Sequence, residues 1–189
     1  ELAVGKKLGS WCLTEAFSGS DAGGMKTTAV REGDAYVLNG SKSFITNGSY
    51  ASTFVVMAKT DQTKGKSGIS AFIVEKSYGG VSVGKKENKL GMRASDTVQV
   101  SFENVRVPKE NLIGRENEGF KQALAVLDGG RVGIAALSVG LAHGAIDEAV
   151  KYENESRQFG KALAEFQGVQ FPLADMATEI QAARLLTYR

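Results

Sequence analysis

Two stretches decide how this chain is read: Ser10–Gly23, SWCLTEAFSGSDAG, and Ser41–Gly48, SKSFITNG. The first opens on the short apolar run Trp11-Cys12-Leu13, suited to a strand, and passes through Thr14 into the turn-rich segment Phe17-Ser18-Gly19-Ser20-Asp21. Gly19 permits close backbone approach. The loop amides and the Ser18 and Ser20 hydroxyls suggest a concavity for phosphate oxygens or a carbonyl. The second stretch follows Asn39-Gly40, which signals a two-residue hairpin turn, and runs through Phe44, Ile45 and Thr46 to another Asn-Gly at Asn47-Gly48. Strand alternation sends Phe44 and Thr46 to one face. Each stretch alone also has an ordinary reading, a surface turn or sheet packing.

Working outward, the chain from Lys7 to Pro108 is strand and turn. Thr27–Arg31, Tyr36–Leu38, Phe54–Lys59, Ile69–Glu75, Val81–Lys85 and Val98–Val107 are short runs rich in Val, Ile, Phe and Thr, broken by Gly, Asn, Asp or Ser. That spacing predicts an antiparallel sandwich or barrel, with the polar Asp61–Ser67 as a solvated hairpin tip. From Glu118 the period becomes helical. Gly129-Gly130 predicts a kink or break, at roughly 1 kcal/mol per glycine relative to Ala. Ile134, Leu137, Leu141, Ala145, Ala149 and Tyr152 then resume helical spacing, with small residues between them that allow a close neighbour. After a loop at Phe159-Gly160, Val169, Leu173, Met176 and Ile180 mark a second long helix, with Pro172 in its first turns or at a kink. Two such helices cannot bury both apolar faces against each other alone, so the expectation is an α+β chain: a β-sandwich or barrel domain over 1–112, then over 113–189 the first helices of an antiparallel four-helix bundle completed from elsewhere.

Composition sets bounds. The 189 residues are 42% hydrophobic and 23% charged, the balance of a globular chain large enough for one or two cores. A net charge of +2 without a dense Lys/Arg run argues against nucleic acid. Cys12 is the only cysteine, which rules out an internal disulfide. No apolar run approaches the roughly 20 residues needed to span a bilayer, and no metal-ligand cluster stands out.

The two stretches resemble the flavin-binding signatures of the acyl-CoA dehydrogenase family, whose usual forms are TEPxAGSD and KxWITNG. KLGMRASDT at Lys89–Thr97, FENVRVPKENLIG at Phe102–Gly114, LDGGR at Leu127–Arg131 and FGKALAEFQ at Phe159–Gln167 follow in family order. The resemblance implies an FAD-dependent α,β-dehydrogenation of an acyl-CoA thioester to trans-2-enoyl-CoA in fatty-acid β-oxidation. An electron-transfer flavoprotein is the implied acceptor and a homo-oligomer, tetramer or dimer, the implied assembly. It places the protein in the cytoplasm of a bacterium or the mitochondrial matrix of a eukaryote, and it marks the chain as a fragment.

By the same resemblance Trp11, Leu13, Thr14 and Ser20 line the flavin ring and its pyrophosphate. Thr46 hydrogen-bonds near flavin N5, and the aromatic of the second signature, here Phe44 beside Ile45, packs on the ring. Asp128 and Arg131 read as an i,i+3 surface pair on residue type; the resemblance instead sets them, with Ser20, against the CoA and pantetheine. Arg157, Phe166 and Gln167 are implied to reach the FAD of a neighbouring subunit. Arg157 stands one residue past the usual arginine position, Ser156, which turns a helical side chain by about 100°. No residue here is named as catalytic base. The position of the glutamate that a few members carry before the arginine is Gly130, and the remaining members place theirs in sequence expected beyond Arg189. Glu15 reads as support for its loop and His143 as an interfacial or capping side chain. An acyl-CoA oxidase or flavin monooxygenase of the same fold is the nearest alternative, and a non-catalytic CoA-binding or assembly module the more distant one.

Overall fold

A computed structural model describes residues 1–189. The chain packs as two units, Glu1–Leu124 and Ala125–Arg189. The division between these packed units falls inside a helix.

The first unit holds eight strands: β1 (Gly9–Cys12), β2 (Thr28–Glu32), β3 (Ala35–Thr46), β4 (Thr53–Lys59), β5 (Ile69–Glu75), β6 (Val81–Lys86), β7 (Thr97–Pro108) and β8 (Leu112–Ile113). They form one sheet in the order β6-β7-β3-β2-β4-β5-β8, with β1 added alongside β4. Pairing is antiparallel except that β1 runs parallel to β4, and β2 meets β4 at a single parallel bridge, Thr28 to Lys59. The sheet curls on itself. Tyr36 of β3 and Phe72 of β5 are three strand spacings apart in order, roughly 14 Å in a flat sheet, yet their rings sit 4.9 Å apart. Inside the curl lie Leu38, Phe54, Val56, Val74, Val98, Val100 and Val105, each fully buried.

Asn39-Gly40 is not the hairpin turn its sequence suggests. The β2–β3 turn is Gly33-Asp34, with Gly33 at φ +62°, and β3 runs straight through Gly40. Asn39 instead clamps a bulge in the neighbouring strand: its amide donates to Asn104 Oδ1 at 3.1 Å, and its Oδ1 accepts from the Asn104 N–H at 2.8 Å. Asn104 has φ +50°, the left-handed geometry of an inserted residue, and the β3–β7 register slips there. Gly40 is required for a different reason. Its backbone passes so close to Thr27 that a Cβ would stand 2.7 Å from the Thr27 Cα.

The second unit holds the greater part of α1 (Gly119–Glu155), a short hairpin of β9 (Arg157–Gln158) and β10 (Lys161–Ala162), and α2 (Gln167–Tyr188). Gly129-Gly130 does not interrupt α1, so the helix carries the glycine cost without breaking. Phe159 and Gly160 both have positive φ, the signature of a tight two-residue hairpin turn. Thr187 and Tyr188 at the end of α2 lie beside Ala136 and Gly140, so the helices run antiparallel, with small residues at the approach. By length and composition alone α1 would suffice to cross a membrane, a property that core helices of soluble proteins share. Ala and Gly, scattered among its larger apolar residues, hide that length when only bulky side chains are scanned.

Candidate functional site

The end of β1 and the last residues of β3 are stitched together by four hydrogen bonds. Ser10 Oγ donates to the Thr46 carbonyl at 2.7 Å, and the Ser43 N–H donates to the Thr14 carbonyl at 2.8 Å. Lys42 Nζ donates to the Leu13 carbonyl at 3.1 Å and to Glu15 Oε1 at 2.8 Å. Glu15 also accepts from the amides of Thr27 at 3.0 Å and Lys26 at 2.6 Å. The loop-support role expected of Glu15 is therefore met, and its partner Lys42 is fully buried.

Which way Phe44 and Thr46 point is decided by one inserted residue. Tyr36, Leu38 and Lys42 fall on the inward face with period two, which would carry Phe44 and Thr46 into the core. Between Lys42 and Ile45, however, β3 advances three residues while β7 advances two, from Val100 to Val98. The parity flips, Ile45 turns inward, and Phe44 and Thr46 face solvent. Phe44 carries the bulge at φ +58°, a conformation that costs a non-glycine residue about 1–3 kcal/mol, and it is 63% exposed. An aromatic held out of the core in a strained backbone is a feature that ordinary sheet packing does not account for.

The other named residues sort by placement. Thr14 is half-buried and Thr46 exposed, and both hydroxyls are left out of the bonds that fix their backbones. Trp11 is half-buried on the face opposite Cys12. The Leu13 and Ile45 side chains are in the interior, so only their backbones can face a ligand. Ser20 is exposed and open. Ser18 is a correction to the anion concavity: its hydroxyl is spent on the Asp21 carbonyl and its N–H on the Glu15 carbonyl. Cys12 is sealed, and burial pushes its thiol up to about 12, which makes it a packing residue.

In the second unit Asp128 and Arg131 form a loose pair at 3.9 Å, with both side chains more than three-quarters exposed, so the guanidinium stays free for an anion. His143 stands 3.9 Å from Asp147, one helical turn on. Arg157 lies in β9, because α1 ends at Glu155, so the helical-rotation argument against its reach does not apply. Phe166 is half-buried, edge-on to Phe159 at 6.4 Å, and Gln167 opens α2, exposed. The groove between α1 and α2, about 580 Å³ and lined by Val139, Ile146, Leu173, Met176 and Ile180, contains none of these residues.

Sequence reasoning passed over Lys42 and Asp96. A lysine in phase with Tyr36 and Leu38 on an inward face is itself a signal, since a buried charge demands a partner. Asp96 braces the turn after Thr46. Its carbonyl accepts from the Asn47 N–H at 2.9 Å and its Oδ2 from the Ser49 N–H at 2.8 Å. Lys86 Nζ stands 3.5 Å from Oδ1, within charge attraction though beyond a well-formed hydrogen bond.

Burial pushes the Glu15 and Asp96 carboxyls up, but their partners outweigh it: Lys42 with the Thr27 and Lys26 amides for Glu15, and the Ser49 amide and hydroxyl with Lys86 for Asp96. Both are held below their ordinary values of 4.5 and 3.8. A depressed carboxyl contributes stability that is complete above its ordinary value and is lost as pH falls through the lower folded value. The urea midpoint of the β unit should therefore hold from neutral pH to about 4.5 and drop below it; a midpoint unchanged well below 3.8 contradicts this.

Comparison with known proteins adds to this geometry. The family profile "Acyl-CoA dehydrogenase, middle domain" matches residues 10–105, and "Acyl-CoA dehydrogenase, C-terminal domain" matches 117–189. The short-chain specific acyl-CoA dehydrogenase of Clostridium acetobutylicum is 54% identical over 188 residues, covering 100% of this chain and 50% of that protein. Butyryl-CoA dehydrogenase from Megasphaera elsdenii superposes with a TM-score of 0.94 at 49% identity, over 96% of this chain and 48% of that one. A chain in a structure of the electron transferring flavoprotein of Acidaminococcus fermentans does so with a TM-score of 0.94 at 54% identity, over 97% and 48%. The chain thus spans about half the length of the curated relatives it matches.

Proposed function

Because this chain belongs to the acyl-CoA dehydrogenase family, we propose that the full-length enzyme carrying it binds FAD and dehydrogenates a short acyl-CoA thioester to the trans-2-enoyl-CoA, with an electron-transfer flavoprotein as acceptor. The observation that carries this reading is the pair of unspent hydroxyls, Thr14 and Thr46, on neighbouring segments whose backbones are already locked to one another. A flavin ring asks for donors at its polar edge and an apolar surface against its face. The residues present fit: the two threonines supply the first, and Phe44, held outward, supplies the second.

Bound FAD supplies the two-electron oxidant. Thr14 and Thr46 orient its ring and, as preorganised donors, favour the negative charge that reduction brings. Phe44 shields one face from water with a phenyl in place of the family's usual indole. Arg131, free of any strong partner, holds the CoA end of the substrate, with Ser20 at the pantetheine. Arg157, Phe166 and Gln167 serve the FAD of a second subunit, which makes the working enzyme a homo-oligomer. By the family resemblance the α-proton goes to a carboxylate, and Gly130, at the position before Arg131 where a few members carry it, supplies none.

The test is purification of the full-length protein, followed by anaerobic mixing with butyryl-CoA. Flavin absorbance that bleaches with substrate and recovers with electron-transfer flavoprotein is the expected result. Oxygen consumption without an acceptor would make it an oxidase, and colourless protein that takes up no FAD would make the chain a non-catalytic module.

A further inference from the structure

We propose that the buried Glu15–Lys42 ion pair is a positioning latch for the Thr14 hydroxyl, setting it in register with Thr46; the inference rests on the flavin reading above. A buried ion pair is weak grounds for stability, since well-packed apolar residues often replace one at no loss. What the pair holds is more informative than its burial. Lys42 Nζ spends its bonds on the Leu13 carbonyl and the Glu15 carboxylate, one residue to either side of Thr14, and its remaining contact is Met25 Sδ at 3.7 Å. The next residue, Ser43, takes the Thr14 carbonyl. Two consecutive residues of β3 therefore grip three consecutive residues of the other segment.

The grip sits immediately before the bulge that turns Phe44 and Thr46 outward. Glu15 extends it to the amides of Lys26 and Thr27 at the entry to β2. Ser10 closes the far end by holding the Thr46 carbonyl. Every bond in the set constrains where the two threonines stand, and none consumes a threonine hydroxyl. Lys42 and Glu15 are positioning residues that act through Thr14, with the ion pair fixing the separation of the two donors.

A double-mutant cycle on the full-length holoenzyme tests this, with the FAD dissociation constant read from recovery of flavin fluorescence and the bound-flavin absorbance band as a second signal. Thr14→Val alone is expected to weaken FAD binding about tenfold, the worth of one hydrogen bond in a closed site. In a Glu15→Gln/Lys42→Met background, which removes both charges together, the same substitution is expected to add less than about twofold, because the hydroxyl is already out of place. A full tenfold loss in that background, or no loss from Thr14→Val in the wild type, overturns the latch. Should the neutral pair fail to fold, Lys42→Arg, which keeps the charge and moves the donors, takes its place in the cycle with the same outcomes. Wild-type enzyme that binds no FAD would sink the functional reading and the latch with it; flavin-bound wild type with additive losses would sink the latch alone.

Discussion

Lys42→Met is expected to lower the unfolding free energy of the β unit by about 3–5 kcal/mol, the usual cost of stranding one member of a buried ion pair. The Glu15 carboxylate keeps its two backbone amides but loses its countercharge, and it is only 9% exposed, so water cannot replace the ammonium. The Leu13 carbonyl loses its donor at the same time. Against a typical total of about 5–15 kcal/mol, such a loss brings the unit close to half-unfolding in mild urea. Trp11, the only tryptophan of the chain, lies in β1 and reports on this region by fluorescence in the apo protein. Adding Glu15→Gln should recover most of the loss, because the penalty comes from the unpaired charge rather than from missing attraction. A single-variant loss below about 1 kcal/mol would show that Glu15 takes a proton or reaches solvent at little cost.

Gly40→Ala is the second large effect, about 2–4 kcal/mol, from overpacking against backbone together with a backbone angle that L side chains rarely adopt. Gly40 has φ +150°, and the added methyl would meet Thr27 Cα and Cβ at 2.7 Å each. Backbone cannot yield as the tip of a side chain can. The Thr27 amide is one of the donors to Glu15, so displacement there disturbs the same network that holds Thr14. Urea denaturation followed at Trp11 measures the stability change, and FAD affinity of the full-length variant measures its spread to the site. Native stability in Gly40→Ala would mean that β2 slides past β3 without cost, against the register Thr28–Asn39 seen between them.

Both predictions rest on residues that the pattern of the chain disclosed unevenly. Strand runs such as Ile69–Glu75 were legible because β-branched and aromatic residues alternate between clear turn signals, and β5 has those bounds. The long helices were legible from their period, although Gly129-Gly130 suggested a break that hydrogen bonding along α1 overrides. Asn39-Gly40 misled because the dipeptide that favours a hairpin turn also suits a strand position tight against its neighbour and a side-chain clamp on Asn104. Lys42 went unnoticed because a lysine is read as exposed until its phase on the strand is counted.

By itself the amino-acid sequence determined the class of fold, the family, and the two stretches that matter, since these depend on local propensity, hydrophobic period and residue identity. It did not determine which side of β3 Phe44 and Thr46 occupy. Counting by twos from Tyr36 buries them, and only the extra residue accommodated against β7 turns them out. Whether a bulge forms depends on pairing with a strand about 55 residues away along the chain, a long-range contact that no local pattern encodes. The same holds for Glu15 and Lys42, 27 residues apart, whose charges become a pair only where folding removes water from both.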